Sequence, residues 1–245
     1  MSGFVGLSPA KKQRRELFVS QKQFQNSRTE CVDLVVGPDV LIGKNMEKKN
    51  LKSKIVYFLP SVLFLVGAAV FDVFVGQYIN NLSYGAPLSD LLLNKIPVID
   101  LRIIEVFGFE LILIIYFLYP LFRTREKIPY IFNQTALLII IRNISIVITH
   151  LPSPAGSLDH NIVPILSYLT FEHDLIFSGH VAFPFLAFLM YKTEKIRNFF
   201  LIGSIVMAVT VLLTHSHYSV DVWAAFFFTY TSYKLGEYFF KPKKA

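Results

Sequence analysis

The chain has 245 residues, of which 53% are hydrophobic and 15% aromatic. A mean hydropathy of +0.50 and recurring apolar runs of about 20 residues exclude an ordinary soluble domain. The net charge of +7 comes from basic residues between the apolar runs, so membrane topology explains it and we predict no nucleic-acid partner. The single Cys31 excludes an internal disulfide and a cysteine-based metal site.

We predict an all-α, polytopic membrane protein with six transmembrane helices. Residues 1–54 are polar and basic, which predicts a partly disordered cytoplasmic tail. Residues 55–240 form the predicted membrane catalytic domain, and residues 241–245 form a second basic cytoplasmic tail. The six predicted spans cover about residues 55–75, 103–122, 130–149, 175–191, 199–214 and 218–240.

The loops differ in charge along the chain. The two tails and the short loops 123–127 and 192–197 are basic, whereas the intervening loops are poor in Lys and Arg. Under the positive-inside rule both termini are then cytoplasmic. The end of span three, the start of span four, the end of span five and the start of span six are therefore predicted on the extracytoplasmic side.

Two histidines and an aspartate lie on that side. His217 and Asp221 are four residues apart, which predicts a common helix face. A carboxylate on one imidazole nitrogen fixes the tautomer and frees the other nitrogen as a nucleophile. His180 would then act as the general acid that protonates the departing oxygen.

A phosphate would be bound nearby. Ser178 and Gly179 place small residues and bare backbone at the start of a predicted helix, which favours an anion. Arg142 adds a fixed positive charge able to hold phosphate oxygens bidentately. The set suits displacement at a phosphorus ester through a phospho-histidine.

Several residues allow other interpretations. Asp72 is an interface residue or a wall of the site, and we favour the interface. Arg142 alone could pair with Glu105 or Glu110 as a structural ion pair. Zinc is a less favoured alternative, because the spacing matches no zinc signature, and we predict neither metal nor cofactor. The zinc alternative would draw on His173, Asp174, His180, His215, His217 and Asp221. We expect His215 to face water or loop contacts.

The motifs also resemble a known family. Phe177-Ser178-Gly179-His180, and the run from His217 to Val222, resemble the sphingomyelin synthase branch of the type 2 phosphatidic acid phosphatase (PAP2) superfamily. Arg142 followed by Leu151-Pro152 resembles the third-span motif of the same branch. The resemblance covers roughly residues 142–230.

That resemblance implies a PAP2-like helical bundle with a metal-independent triad of His180, His217 and Asp221 at the lumenal or extracellular face. Arg142, Ser178, Gly179 and Tyr218 are then expected to bind substrate. The implied reaction moves a phospho-headgroup, such as phosphocholine or phosphoethanolamine, from a phospholipid to ceramide or diacylglycerol.

Two rival functions stay open, a lipid phosphate phosphatase using the same site and a non-catalytic membrane scaffold. The phosphatase branches carry a Lys-and-Arg-Pro motif and a Ser-Arg before the second His, and neither occurs here, which favours the transferase. The expected partners are lipid substrates and the bilayer, and a homo-oligomer is left open. The expected membrane is the endoplasmic reticulum or Golgi in a eukaryote, or the plasma membrane in a bacterium.

Overall fold

The computed structural model describes residues 39–158 and 175–240, with side chains described from Phe58 onward. The chain divides into two compact units, Met1–Val56 and Tyr57–Ala245, and all side chains of the site belong to the second. Within the described ranges the regular structure is entirely helical, which agrees with the predicted all-α class. Most of the predicted cytoplasmic tail lies outside the described residues.

Six α-helices are described, and each overlaps one predicted span, although the first begins within the predicted tail. They are α1 Asp39–Asn80, α2 Phe109–Arg123, α3 Ile128–Ile148, α4 Gly179–Met190, α5 Arg197–Leu213 and α6 Ser219–Phe240. A π-helical turn, Ile104–Gly108, leads directly into α2. Short 3₁₀ turns occupy Leu93–Lys95 and Arg125–Lys127.

The predicted count of six membrane spans is not confirmed. Among the described residues, three helical stretches are long and apolar enough to cross a membrane, namely Phe58–Asn80, Ile104–Arg123 and Arg125–Ile148. The helix α4 has only 12 residues and is therefore about 18 Å long, against a hydrocarbon core of about 30 Å. The helix α5 is also below the length of a span, and the Tyr, Thr and Ser residues of α6 lower its mean hydropathy.

The helix α4 is shorter than predicted because its first predicted residues are not helical. Ile176 has a φ of +98°, which breaks the helical path, and Ser178 then precedes α4 in an extended conformation without a side-chain capping hydrogen bond. The predicted span began at Leu175, since an apolar run contains no signal for such a break. The result is an irregular segment, residues 175–178, that leads into α4.

The core lies between α3, α4, α5 and α6. Small residues allow close approach, and the Ser204 hydroxyl on α5 donates a hydrogen bond of 3.0 Å to the carbonyl of Val181 on α4. The principal apolar cluster includes Leu138, Phe177, Val181, Ala182, Leu186, Ala208, Val211, Val222, Ala225 and Tyr233. A second cluster joins α2 to α4 and α5 through Tyr116, Tyr191 and Phe200.

Large apolar side chains also remain on the outside of the helices. On α1, for example, Leu63 is 61% exposed and Phe74 is 65% exposed. Exposed apolar surface of this kind is costly in water but natural against lipid tails. Together with the three apolar helical stretches, it indicates an integral membrane protein.

Candidate active site

The candidate site lies where four segments meet, namely the end of α3, the segment 175–178, the turn between α5 and α6, and the first turn of α6. His217 lies in the α5–α6 turn, two residues before α6 begins, and Asp221 lies in the first helical turn. The two residues therefore do not meet on a common helix face, as their spacing of four had predicted. The turn brings His217 back toward the carboxylate instead.

Asp221 is fully buried and receives backbone hydrogen bonds on both oxygens. The N–H of Tyr218 donates to Oδ2 at 3.0 Å, and the N–H of Ile176 donates to Oδ1 at 3.2 Å. Nδ1 of His217 lies 3.5 Å from Oδ2. That distance allows an ion pair, but its geometry does not make a hydrogen bond, and Nδ1 has no hydrogen-bond partner among the described residues. Catalytic hydrogen bonds of this type often tighten only when substrate binds.

His180 lies in the first turn of α4 and faces His217. The two ring centroids are 6.1 Å apart, with the ring planes inclined by 65°. The ring of Phe109 on α2 packs against His180 at a centroid distance of 4.4 Å. The structure thus brings together His180, His217 and Asp221, while their catalytic roles remain predictions.

Arg142 is on α3, lies against the start of α4 and has 8% of its surface exposed. Its Nε donates to the carbonyl of Phe177 at 3.3 Å, and its Nη1 lies 3.7 Å from Oδ1 of Asp72. We favoured the membrane interface for Asp72 on its sequence position, and this ion pair places it beside the site instead. From the sequence, Glu105 or Glu110 had been considered as the structural ion-pair partner of Arg142, and Asp72 had not.

Gly179 lies directly against the guanidinium of Arg142. A Cβ on Gly179 would lie 3.4 Å from Nε and 3.5 Å from Nη2 of Arg142, which is ordinary van der Waals contact, so the start of α4 and the guanidinium are close neighbours. The hydroxyl of Ser178 is buried and has no hydrogen-bond partner among the described residues. A helix N-terminus, an arginine and an open hydroxyl together form a local environment that favours an anion.

Tyr218 has a different set of contacts from the other predicted binding residues. Its side chain is only 2% exposed, and its hydroxyl donates to the carbonyl of Pro152 at 3.0 Å. The same hydroxyl accepts a hydrogen bond of 2.9 Å from the N–H of Leu88. These contacts tie loops to the start of α6, and substrate binding by Tyr218 remains a prediction.

The remaining histidines do not join the pair. His215 has a φ of +56°, and its Nδ1 donates to the carbonyl of Ala155 at 3.1 Å, a loop contact of the kind we expected. His150 is exposed and packs against Tyr78. His173 and Asp174 lie outside the described residues. Within the described ranges, no three His, Cys, Asp or Glu side chains are grouped so that they could hold a metal ion.

Two residues of this region were not predicted from the sequence. The Asp90 carboxylate lies in a distant loop and accepts a hydrogen bond from the N–H of Ser219 at the start of α6, and Ile176 has a left-handed backbone conformation from which its N–H donates to Asp221. Neither carries a local sequence signal. Glu105, which we had considered only as a structural partner of Arg142, is fully buried in the π-helical turn, one helical turn before Phe109, and an acid inside an apolar run is a signal for such a position.

Comparison with known proteins finds a family model that matches part of the chain. Residues 173–238 match the family model described as PAP2 superfamily C-terminal. The match supports the PAP2 superfamily. It covers roughly a quarter of the chain, including both site histidines and Asp221 but not Arg142. No curated protein matches the chain.

PAP2 superfamily members are phosphatases or phosphotransferases. The match therefore indicates a membrane-embedded protein of lipid phosphatase or phosphotransferase type. Nothing in it points to the sphingomyelin synthase branch that the motifs resemble.

Proposed function

We propose that this protein is a membrane lipid phosphotransferase that moves a phospho-headgroup from a phospholipid to ceramide or diacylglycerol. The observation that carries the proposal is the facing pair of imidazoles, 6.1 Å apart, with a buried carboxylate beside Nδ1 of His217. This separation leaves room for a phosphate ester between the rings. Its phosphorus could lie about 3 Å from a nitrogen of one ring, and its departing oxygen could accept a hydrogen bond of about 3 Å from the other.

In the first step, Nε2 of His217 attacks phosphorus and forms an N–P bond. The bond from phosphorus to the glycerol oxygen of the donor breaks, and His180 gives its proton to that oxygen, so diacylglycerol leaves. Asp221 stabilises the positive imidazole ring through Nδ1. The headgroup phosphate is now carried on His217.

In the second step, His180 takes the proton of the acceptor hydroxyl, and the resulting oxygen attacks phosphorus. The N–P bond breaks, the headgroup passes to the lipid alcohol, and both histidines return to their starting protonation. Arg142 and the N-terminus of α4 stabilise the non-bridging phosphate oxygens during both steps. The reaction needs no metal or cofactor in this scheme.

The position of the site suits a lipid substrate. The apolar outer faces of the helices would contact acyl chains, while His180 at the start of α4, His217 in the turn before α6 and Arg142 on α3 form a polar group at one end of the helices. We place this end on the extracytoplasmic side, because the loops there are poor in Lys and Arg.

Hydrolysis at the same site is the second candidate, because the superfamily match covers phosphatases as well as phosphotransferases. Water would then replace the lipid alcohol in the second step. Transfer is preferred because His217 is only 6% exposed, which limits the entry of bulk water, and because the phosphatase motifs are lacking in the sequence.

The test uses the purified full chain in proteoliposomes that contain headgroup-labelled phospholipid and a fluorescent ceramide or diacylglycerol. The wild type should form a new labelled phospholipid, and His217→Ala should lower the rate by at least about 10³-fold. His150→Ala is the matched control, because that ring is exposed, and it should retain the wild-type rate.

Three outcomes decide the matter. Release of free phosphate or free phospho-headgroup without a new lipid would establish hydrolysis instead of transfer. Full activity in His217→Ala would remove His217 as the nucleophile. Inactive wild-type protein on a broad panel of phospholipids would favour the non-catalytic scaffold.

A further inference from the structure

Asp90 lies in the loop between α1 and the π-helical turn, and its carboxylate accepts four hydrogen bonds. Two come from its own loop, from the N–H groups of Leu92 at 2.9 Å and Leu93 at 3.1 Å. The other two come from Ser219, whose N–H and hydroxyl each donate at 2.8 Å. Asp90 and Ser219 are 129 residues apart in the chain.

Ser219 is the first residue of α6, between His217 and Asp221. The first N–H groups of a helix lack intrahelical acceptors, and a preceding Ser, Thr, Asp or Asn usually supplies one. Here the preceding residue is Tyr218, whose hydroxyl is bound to Leu88 and Pro152. Asp90 therefore supplies from a distant loop the acceptor that the local sequence lacks.

The same loop makes two further contacts with the site. The N–H of Leu88 donates to the Tyr218 hydroxyl at 2.9 Å. Leu93 forms a small buried cluster with Leu175 and Tyr218. Leu175 precedes Ile176, so the loop supports both of the residues whose N–H groups hold the Asp221 carboxylate.

The charge state of Asp90 suits this role. Burial alone would raise the pKa of Asp90, but the hydrogen bonds from Ser219, Leu93 and Leu92 outweigh burial and hold the pKa below its ordinary value. The stabilisation is then complete above about pH 4 and is lost as the pH falls through the lowered pKa. Across the neutral range the carboxylate is fully charged.

We propose that Asp90 is a positioning residue for the headgroup transfer, which fixes the start of α6 so that Asp221 meets His217. This inference rests on the proposed function. Asp90 contacts Ser219 rather than either member of the pair, and its effect passes through the backbone of residues 217–221. A displacement of about 1 Å at a reacting group can lower a rate by about 10²-fold.

Asp90→Asn is the principal variant. An amide presents one acceptor oxygen and one NH₂ group, so it cannot serve Ser219 and its own loop at once. We expect kcat to fall by about 10²-fold with KM within about twofold, because α6 shifts while the phosphate-binding groups on α3 and α4 stay in place. The pH at which the rate is greatest should not move.

Asp100→Asn is the matched control, because Asp100 is a carboxylate later in the same loop region whose hydrogen bonds are with Arg102. It should retain wild-type kinetics. Ser219→Ala removes one of the four hydrogen bonds to Asp90 and should lower kcat by about tenfold. The double variant should be no slower than Asp90→Asn alone, since both changes break one interaction. Multiplied effects would mean that the two residues act separately and would overturn the proposal.

Hydrogen exchange of the peptide over residues 214–225 gives a readout that does not depend on the reaction. Asp90→Asn should speed exchange there by at least about tenfold, and Asp100→Asn should not. If the wild type transfers the headgroup, and Asp90→Asn and Asp100→Asn have the same kcat and the same exchange rate, the role of Asp90 is overturned and the proposed function stays intact. No transfer by the wild type, with exchange still faster in Asp90→Asn, would refute the proposed function and the catalytic role of Asp90 with it. If Asp90→Asn does not fold, Ser219→Ala provides the test, and a kcat of Ser219→Ala equal to that of the wild type overturns the proposal.

Discussion

The two ends of the helical domain are built differently. At the end that carries the site, side chains hydrogen-bond to the backbone of distant segments, as the Asp90 carboxylate does with the N–H of Ser219. At the opposite end, the Glu194 carboxylate accepts hydrogen bonds of 3.1 Å from the Tyr119 hydroxyl and the Lys127 ammonium. Nearby, the Tyr233 hydroxyl donates to Glu237 one turn later on the same helix, at 2.7 Å.

The difference extends to backbone strain. All described residues with a left-handed φ, namely Gly156, Ile176 and His215, lie at the site end. The opposite end instead pairs its charges, and hydrogen bonds from Lys127 and Tyr119 keep the pKa of Glu194 below its ordinary value although burial opposes them. Strained residues persist where surrounding structure holds them and often mark functional sites. We therefore expect chemistry at one end and mainly a contribution to stability from the other.

The largest effect that separates the two ends should come from Asp221→Asn. The amide can still accept one backbone hydrogen bond, but it cannot stabilise a positive charge on His217. We expect the rate of headgroup transfer to fall by about 10²- to 10⁴-fold. Initial rates in proteoliposomes measure this, and a rate within twofold of wild type would show that the carboxylate has no catalytic part.

At the opposite end, Gly236→Ala should change stability rather than activity. A Cβ at Gly236 would overlap the side-chain amide of Gln134. That amide donates to the Tyr130 hydroxyl at 2.8 Å and to the Tyr233 carbonyl at 3.2 Å, so moving it breaks buried hydrogen bonds. We expect the free energy of unfolding in detergent to fall by about 1–3 kcal/mol. A lower transfer rate per folded molecule would contradict the expectation that this end affects stability and not activity.

Gly179→Ala is the matching substitution at the site end, with a smaller expected effect. Its Cβ fits at 3.4 Å from the Arg142 guanidinium, so little needs to move, and alanine is well tolerated at a helix start. The methyl group would occupy space beside the guanidinium where a phosphate oxygen would bind. We expect kcat/KM to fall roughly tenfold with an unchanged unfolding midpoint. A large drop in that midpoint would instead make Gly179 a packing residue.

Much of the helical layout follows from apolar periodicity, since all six predicted spans overlap a helix. The proximity of His180 and His217 could also be predicted, because the alternation of basic and non-basic loops places both residues at the same end of the helices. The loop contacts do not follow, since nothing near Asp90 indicates a partner 129 residues away. The strained backbone of Ile176 could not be predicted either, because β-branched residues rarely adopt that conformation.

The long-range contacts of the Tyr218 hydroxyl have a consequence for the order of assembly. They join residues 66 and 130 positions away in the chain, so they can close only after the helices have been inserted and have packed together. The reactive centre would thus be completed late in biogenesis. A nascent or partly assembled chain would lie in the bilayer without attacking the surrounding phospholipids.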